Sequence, residues 1–192
     1  MTRFAYGLQM LVASQILLVI TVLPLIFGVF FFNLDMATAY DLGMSGALVA
    51  FSLSFIACLI MRKYSKYFVV AMASSLVLAL ITYASCPPIS YEYKSYAYMI
   101  CAILYTIGNI LIMNGINRVL LQHKELGHIK NGKVIIGVIV AIVAIAILAN
   151  FATFTAVGQD VIPAIMLILI ILGYRGSTYY YIIAHGKLKD TD

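Results

Sequence analysis

Residues 134–156 read VIIGVIVAIVAIAILANFATFTA, an unbroken run of 23 positions without a charged side chain. At 1.5 Å of rise per residue, a helix of this length crosses the ~30 Å hydrocarbon layer of a bilayer. Inside lipid no water bonds the backbone, so a crossing segment must satisfy its own N–H and C=O groups, and an α-helix does so. The strict alternation of a transmembrane strand is absent. Runs of the same kind recur at 10–32, 42–61, 67–85, 96–116 and 161–184. The pattern predicts an all-α, polytopic membrane bundle of about six transmembrane helices, with the whole of 1–192 as one transmembrane domain. Gly158, Gln159 and Asp160 separate the fifth run from the sixth, with Asp160 expected as N-cap and Pro163 in the first turn.

Composition agrees. Hydrophobic residues make up 64% of the chain and charged residues 10%, and the mean hydropathy is +1.06. Soluble domains carry roughly a quarter charged residues, so water is the wrong solvent for this surface. The formal charge of +5 sits in short clusters between apolar runs. No aromatic-basic motif accompanies it, which argues against a nucleic-acid partner and leaves membrane lipids as the expected surroundings.

The basic clusters also set the orientation. Arg3 precedes the first run; Arg62, Lys63 and Lys66 follow the second; Arg118, Lys124, Lys130 and Lys133 follow the fourth; Lys187 and Lys189 follow the sixth. The intervening loops hold only Lys94, beside Asp35, Asp41, Glu92 and Asp160. Basic loops stay on the cytoplasmic side, so both termini are expected inside. Tyr40, Tyr83, Tyr91, Tyr93 and Tyr96 mark the outer interface, and Tyr6, Tyr64, Tyr67 and Tyr179 to Tyr181 the inner one. The first run is too long for a signal-peptide core and lacks a small-x-small cleavage site, so it is expected to be retained. Short outer loops without an N-x-S/T sequon fit a bacterial cytoplasmic membrane.

Lipid supplies no hydrophobic drive between helices, so close approach depends on small residues. Gly43, Ala47, Ala50, Ser54 and Ala57 form such a seam on the second helix; Ala71, Ser75, Ala79 and Thr82 form one on the third; Gly137, Ala141 and Ala144 form one on the fifth. Helices two and three are expected as a tight hairpin. Some seams are also available to another subunit, as a homo-oligomer or a larger membrane complex.

The tetrad Gly43-Met44-Ser45-Gly46 resembles the G-x-S-G motif of the rhomboid proteases. The resemblance covers these four residues and implies Ser45 as a nucleophile. In that family the serine lies on the fourth helix and its histidine partner on the sixth, and neither placement matches here. His123, His128 and His185 all fall on the cytoplasmic side, roughly a 30 Å membrane thickness from Ser45. A serine nucleophile needs its base within hydrogen-bond reach, so no catalytic residue is assigned. The seam accounts for Gly43 and Gly46.

Other chemistries lose their central residue. No histidine lies at membrane depth to hold a haem, and His123 and His128 stand five apart, which is not the spacing of a helical metal pair. No carboxylate falls within a span, which removes the usual core of an ion-coupled pump. Cys58 and Cys101 read as packing residues. No cofactor or metal is expected.

Arg175 is the ionisable residue within a span, and it either snorkels to the inner headgroups or serves a site. Asn109, Asn114 and Asn117 on the fourth helix, Gln9, Ser14 and Gln15 on the first, and Tyr179 on the sixth share its half of the membrane. Buried amides need partners in lipid, so helices one, four and six are expected to gather around an inner-leaflet polar pocket. Arg175, Asn109, Asn114, Asn117, Gln15 and Tyr179 are its candidate ligand-binding residues, with the guanidinium suited to a phosphate or carboxylate. Two functions follow. One is a small non-catalytic subunit, scaffold, assembly or immunity-type factor acting through helix contacts. The other is solute or lipid binding and transport through the polar pocket. An intramembrane enzyme has no evident nucleophile, acid or metal to build on.

Overall fold

The computed structural model describes residues 3–23, 36–85, 91–152 and 161–188. Within them lie α1 (Arg3–Leu23), α2 (Met36–Met61), α3 (Lys66–Ser85), α4 (Tyr91–Gln122), α5 (Leu126–Ala152) and α6 (Val161–Leu188), and no strand. Segments of α1 to α4, at Arg3–Thr21, Asp41–Met61, Lys66–Ala84 and Ile103–Gln122, are long and apolar enough to cross a membrane. The chain is a helical membrane bundle. The described part of each apolar run lies on its own helix; 24–32 of the first run, with the bend expected at Pro24 and Gly28, 153–156 of the fifth, and the Asp160 cap fall outside the described residues.

The helices overrun the apolar stretches at the end that carries the basic residues. α1 starts at Arg3, and Phe4, Ala5 and Leu8 are already buried. The basic segment expected as a loop after α4 contracts to 123–125. Arg118 belongs to α4, and His128, Lys130 and Lys133 belong to α5. Hydrogen bonds explain the sharp stop. The N–H of Glu125 donates to the Leu120 carbonyl (3.0 Å), and that of Lys124 to the Leu121 carbonyl (3.1 Å), which together cap the open carbonyls of the last turn. This arrangement needs a left-handed residue, and Lys124 supplies it with φ of 62°. The turn between α2 and α3 is equally short: Tyr64 N–H donates to the Met61 carbonyl (3.0 Å), and Ser65 Oγ accepts from Tyr67 N–H (3.4 Å) as the N-cap of α3.

Small residues set the helix spacing. A Cβ placed on Gly46 would overlap Cγ2 of Thr21, and one on Gly7 would press on Met61, so α1 and α2 approach through glycine from both sides. Ser14 Oγ donates to the Ala50 carbonyl (2.7 Å) across the same crossing. On the other flank of α2, the hydroxyls of Ser54 and Ser75 lie 3.2 Å apart. The seam of α2 therefore serves two neighbours inside the chain, with Gly43, Ala50, Ser54 and Ala57 buried and Ala47 packed beside Phe51 and Tyr105. The α2–α3 hairpin is present, but the glycine-mediated crossing is with α1. In α3, Ala71, Ser75 and Thr82 are buried. The α5 seam does not pack within the chain: Gly137, Ala141 and Ala144 are exposed on the outside of the bundle, the side open to another subunit. What draws α5 in is Gly132 and Ile139, at positions not in that seam.

The larger core joins Phe4, Leu8, Met61, Phe68, Met113, Ile116, Tyr181 and Leu188 near the basic end. A smaller one gathers Phe51, Leu78, Cys101 and Tyr105 further along. Phe68 sits under Gly115, where a Cβ would come within 2.8 Å of its ring. In lipid the gain from such fits is dispersion, at about 0.1–0.2 kcal/mol per well-placed atom pair, since lipid tails are themselves apolar.

Two outcomes are expected in unfolding titrations of the purified protein. Gly46→Ala should destabilise by about 1–3 kcal/mol through overpacking, and adding Thr21→Ala should recover part of the loss by removing the obstructing methyl group. Lys124→Gly should stabilise by about 1 kcal/mol, because glycine takes the left-handed conformation without steric cost.

Candidate functional site

The polar centre of the bundle is built on one atom. Asn109 Oδ1, on α4, accepts a hydrogen bond from Gln15 Nε2 of α1 (2.8 Å) and another from Tyr181 Oη of α6 (2.8 Å). Asn109 Nδ2 donates to the Tyr105 carbonyl one turn back (3.2 Å), which fixes the amide so that its oxygen faces the two donors. Gln15, Asn109 and Tyr181 are all buried. Nearer the basic end, Tyr180 Oη donates to Asn117 Oδ1. Gly132 of α5 closes on this pair, for a Cβ there would lie 2.7 Å from Asn117 Oδ1 and 2.8 Å from the Tyr180 hydroxyl. Four helices thus meet at two linked nodes.

Of the residues expected around an inner-leaflet pocket, Gln15, Asn109 and Asn117 lie in these two nodes, but the residues that α6 contributes are not the expected ones. Ser177, Tyr180, Tyr181, Ala184 and Leu188 are buried, at the i, i+3, i+4, i+7 and i+11 spacing of one helix face. Arg175 and Tyr179 lie on the opposite face. Arg175 is exposed, and Tyr179 is 63% exposed where Tyr180 beside it is 1%. Neither enters the polar centre. Asn114 is half-buried and adds no bond to the network, Gln9 is exposed, and Ser14 is committed to the Ala50 carbonyl. Tyr180 and Tyr181, expected at the inner interface, are instead buried in the polar centre, and Gly132 was not singled out in the sequence. A usable signal was the small pair Ser177 and Ala184, which flanks Tyr180 and Tyr181 on one helical stripe.

The network consists of amides and phenols, so its chemistry is hydrogen bonding between uncharged groups. Gln15 Oε1 and Asn117 Nδ2 remain buried without a partner, one an acceptor and the other a donor. Among the described residues no group of three His, Cys, Asp or Glu side chains is placed to hold a metal ion. Ser45 Oγ donates to the Asp41 carbonyl (2.6 Å), the ordinary bond of a helical serine to the preceding turn. At the basic end, Glu125 Oε2 lies 3.9 Å from both His128 Nε2 and Lys187 Nζ, tying the α4–α5 turn loosely to the last turn of α6. Half-exposed pairs of this kind contribute little.

No family model, curated protein or solved structure matches the chain. The fold and the site stand on their own geometry.

A double-mutant cycle tests the hub. Asn109→Ala and Tyr181→Phe, singly and together, should give a coupling of about 0.6–1.7 kcal/mol in unfolding experiments, from the average to the largest value for hydrogen bonds between membrane helices. The same cycle run with Tyr179→Phe should give no coupling.

Proposed function

We propose that this chain is a non-catalytic subunit of a membrane complex and that it docks a partner's transmembrane helix against the Arg175 face of α6. The observation that carries this reading is the direction of Arg175. It is the fifteenth residue of α6, roughly 21 Å along the helix at 1.5 Å per residue. A guanidinium at the centre of a membrane helix costs roughly 2.5–3.5 kcal/mol on insertion scales. Turned inward it could have bonded Asn109 or Tyr181; turned outward it faces whatever covers the bundle. Tyr179 and Ile182 extend the exposed strip at helical spacing.

A carboxylate from another helix would offset that cost and hold the guanidinium through two parallel bonds. A second copy of this chain is a poor source. Its seven acidic residues, Asp35, Asp41, Glu92, Glu125, Asp160, Asp190 and Asp192, all fall outside the apolar runs. The partner is therefore a different protein with an acidic residue at membrane depth. The six-span, both-ends-inside arrangement in a bacterial cytoplasmic membrane belongs to the same proposal and is supported by run length and basic-loop bias. A solute pocket around Arg175 has less support, since the amides and phenols that would line it bond one another on the far side of α6.

Site-specific photocrosslinking from position 182 in native membranes tests this. The expected product is one discrete adduct with a second protein, at least about ten-fold weaker in Arg175→Gln, as loss of a charge-assisted hydrogen bond of about 1.5–3 kcal/mol requires. A probe at Val77, exposed on α3, should not form it. Adducts with lipid alone, or adducts indifferent to Arg175→Gln, would overturn the proposal.

A further inference from the structure

At the basic end, the start of α1 and the end of α2 enclose a cleft of about 680 Å³ lined by Arg3, Tyr6, Leu59, Ile60, Arg62, Lys63 and Tyr64. Three of its seven lining residues are cations, and they come from two separate segments. Among the described residues none of the three has a carboxylate within ion-pair distance; the pairs seen at this end of the bundle use His128, Lys187 and Glu125 instead. Like charges do not converge without a counter-charge unless something else favours it. Here packing holds them together. Phe4, next to Arg3, stacks edge-on against Tyr64 at 4.9 Å and against Phe68 at 5.9 Å. The Tyr64 N–H to Met61 carbonyl bond sets the turn that carries Arg62 and Lys63. The cationic rim is thus built onto a fixed aromatic base.

The rest of the lining is apolar or amphipathic. Leu59 and Tyr6 belong to the exposed flanks of their helices, and Ile56 continues the exposed apolar strip one turn further from the basic end. A ligand that fits this gradient is anionic at one end and apolar at the other. We infer that the cleft binds the headgroup of an anionic phospholipid, with the phosphate between Arg3, Arg62 and Lys63, the phenols of Tyr6 and Tyr64 at its edge, and an acyl chain along Leu59 and Ile56. Arginine grips phosphate oxygens in a planar fork and lysine adds a mobile point charge, which is the donor set a phosphodiester requires. The site does not depend on which way the bundle is oriented, because either leaflet supplies headgroups at the helix ends. It is also independent of the Arg175 face.

Native mass spectrometry of the detergent-purified protein, titrated with dioleoylphosphatidylglycerol or dioleoylphosphatidylcholine, reads this directly. One anionic lipid is expected to bind at least about ten-fold tighter than the zwitterionic one, on the scale of the attraction that basic residues exert on anionic lipid. Arg3→Gln with Arg62→Gln and Lys63→Gln should abolish that preference. Lys130→Gln with Lys133→Gln, exposed cations on α5, should leave it intact. Thermal melts without lipid establish that both variants fold. Equal binding of the two lipids, or a preference that survives the triple substitution in a folded protein, would overturn the site. Competition by inorganic phosphate at the affinity of the lipid would make the ligand a soluble phosphate and overturn the lipid assignment.

Discussion

The bundle depends on a single carbonyl oxygen that accepts two hydrogen bonds. Asn109 Oδ1 ties α1 to α6 through α4, and apart from the Tyr180–Asn117 bond the other contacts among these helices are mainly apolar ones that lipid can imitate. Water is not available at that depth to replace a missing donor, so the bond has no cheap substitute. The α1–α2 crossing, with its glycines and the Ser14 bond to a backbone carbonyl, then orients Gln15 toward α4. Tyr180, Asn117 and Gly132 bring in α5 by the same logic of one polar pair and one close approach.

The number of helices and their approximate places were legible because lipid imposes a length and forbids open backbone. The polar gathering of α1 and α4 was legible for a related reason, since Gln15, Asn109 and Asn117 are costly in hydrocarbon unless they meet. The facing of α6 was not. In a soluble helix, polarity separates the exposed face from the buried one, but here polar groups lie on both faces, Arg175 and Tyr179 outside and Ser177, Tyr180 and Tyr181 inside, and periodicity carries little information. Three consecutive tyrosines compounded this, since successive side chains on a helix point about 100° apart. Tyr180 and Tyr181 fall on the buried side and Tyr179 on the outer one, and nothing in their chemistry distinguishes them. Arg175 followed Tyr179 by helical geometry.

The small-residue seams divide similarly. On α2 the run of glycine, alanine and serine packs against two neighbours, one from each side. On α5 the run Gly137, Ala141, Ala144 lies outside, and the working contact is Gly132, isolated in a basic segment that read as a loop. That segment is helical because Lys124 accepts a left-handed conformation for one residue and lets α5 begin at once. Such a reversal requires no glycine or proline within the turn, and none stands at 123–125.

The double acceptor has a consequence in time. Gln15 enters the bilayer with α1, whereas Asn109 follows 94 residues later and Tyr181 a further 72. At synthesis rates of about 5–20 residues per second, the amide of Gln15 spends roughly 5–20 s in the membrane before its acceptor exists. For that interval the first helix carries an unanswered polar group, which the insertion machinery or a headgroup must satisfy. Tyr181 brings the second donor only once α6 is made, so assembly of this node waits on the synthesis of α6.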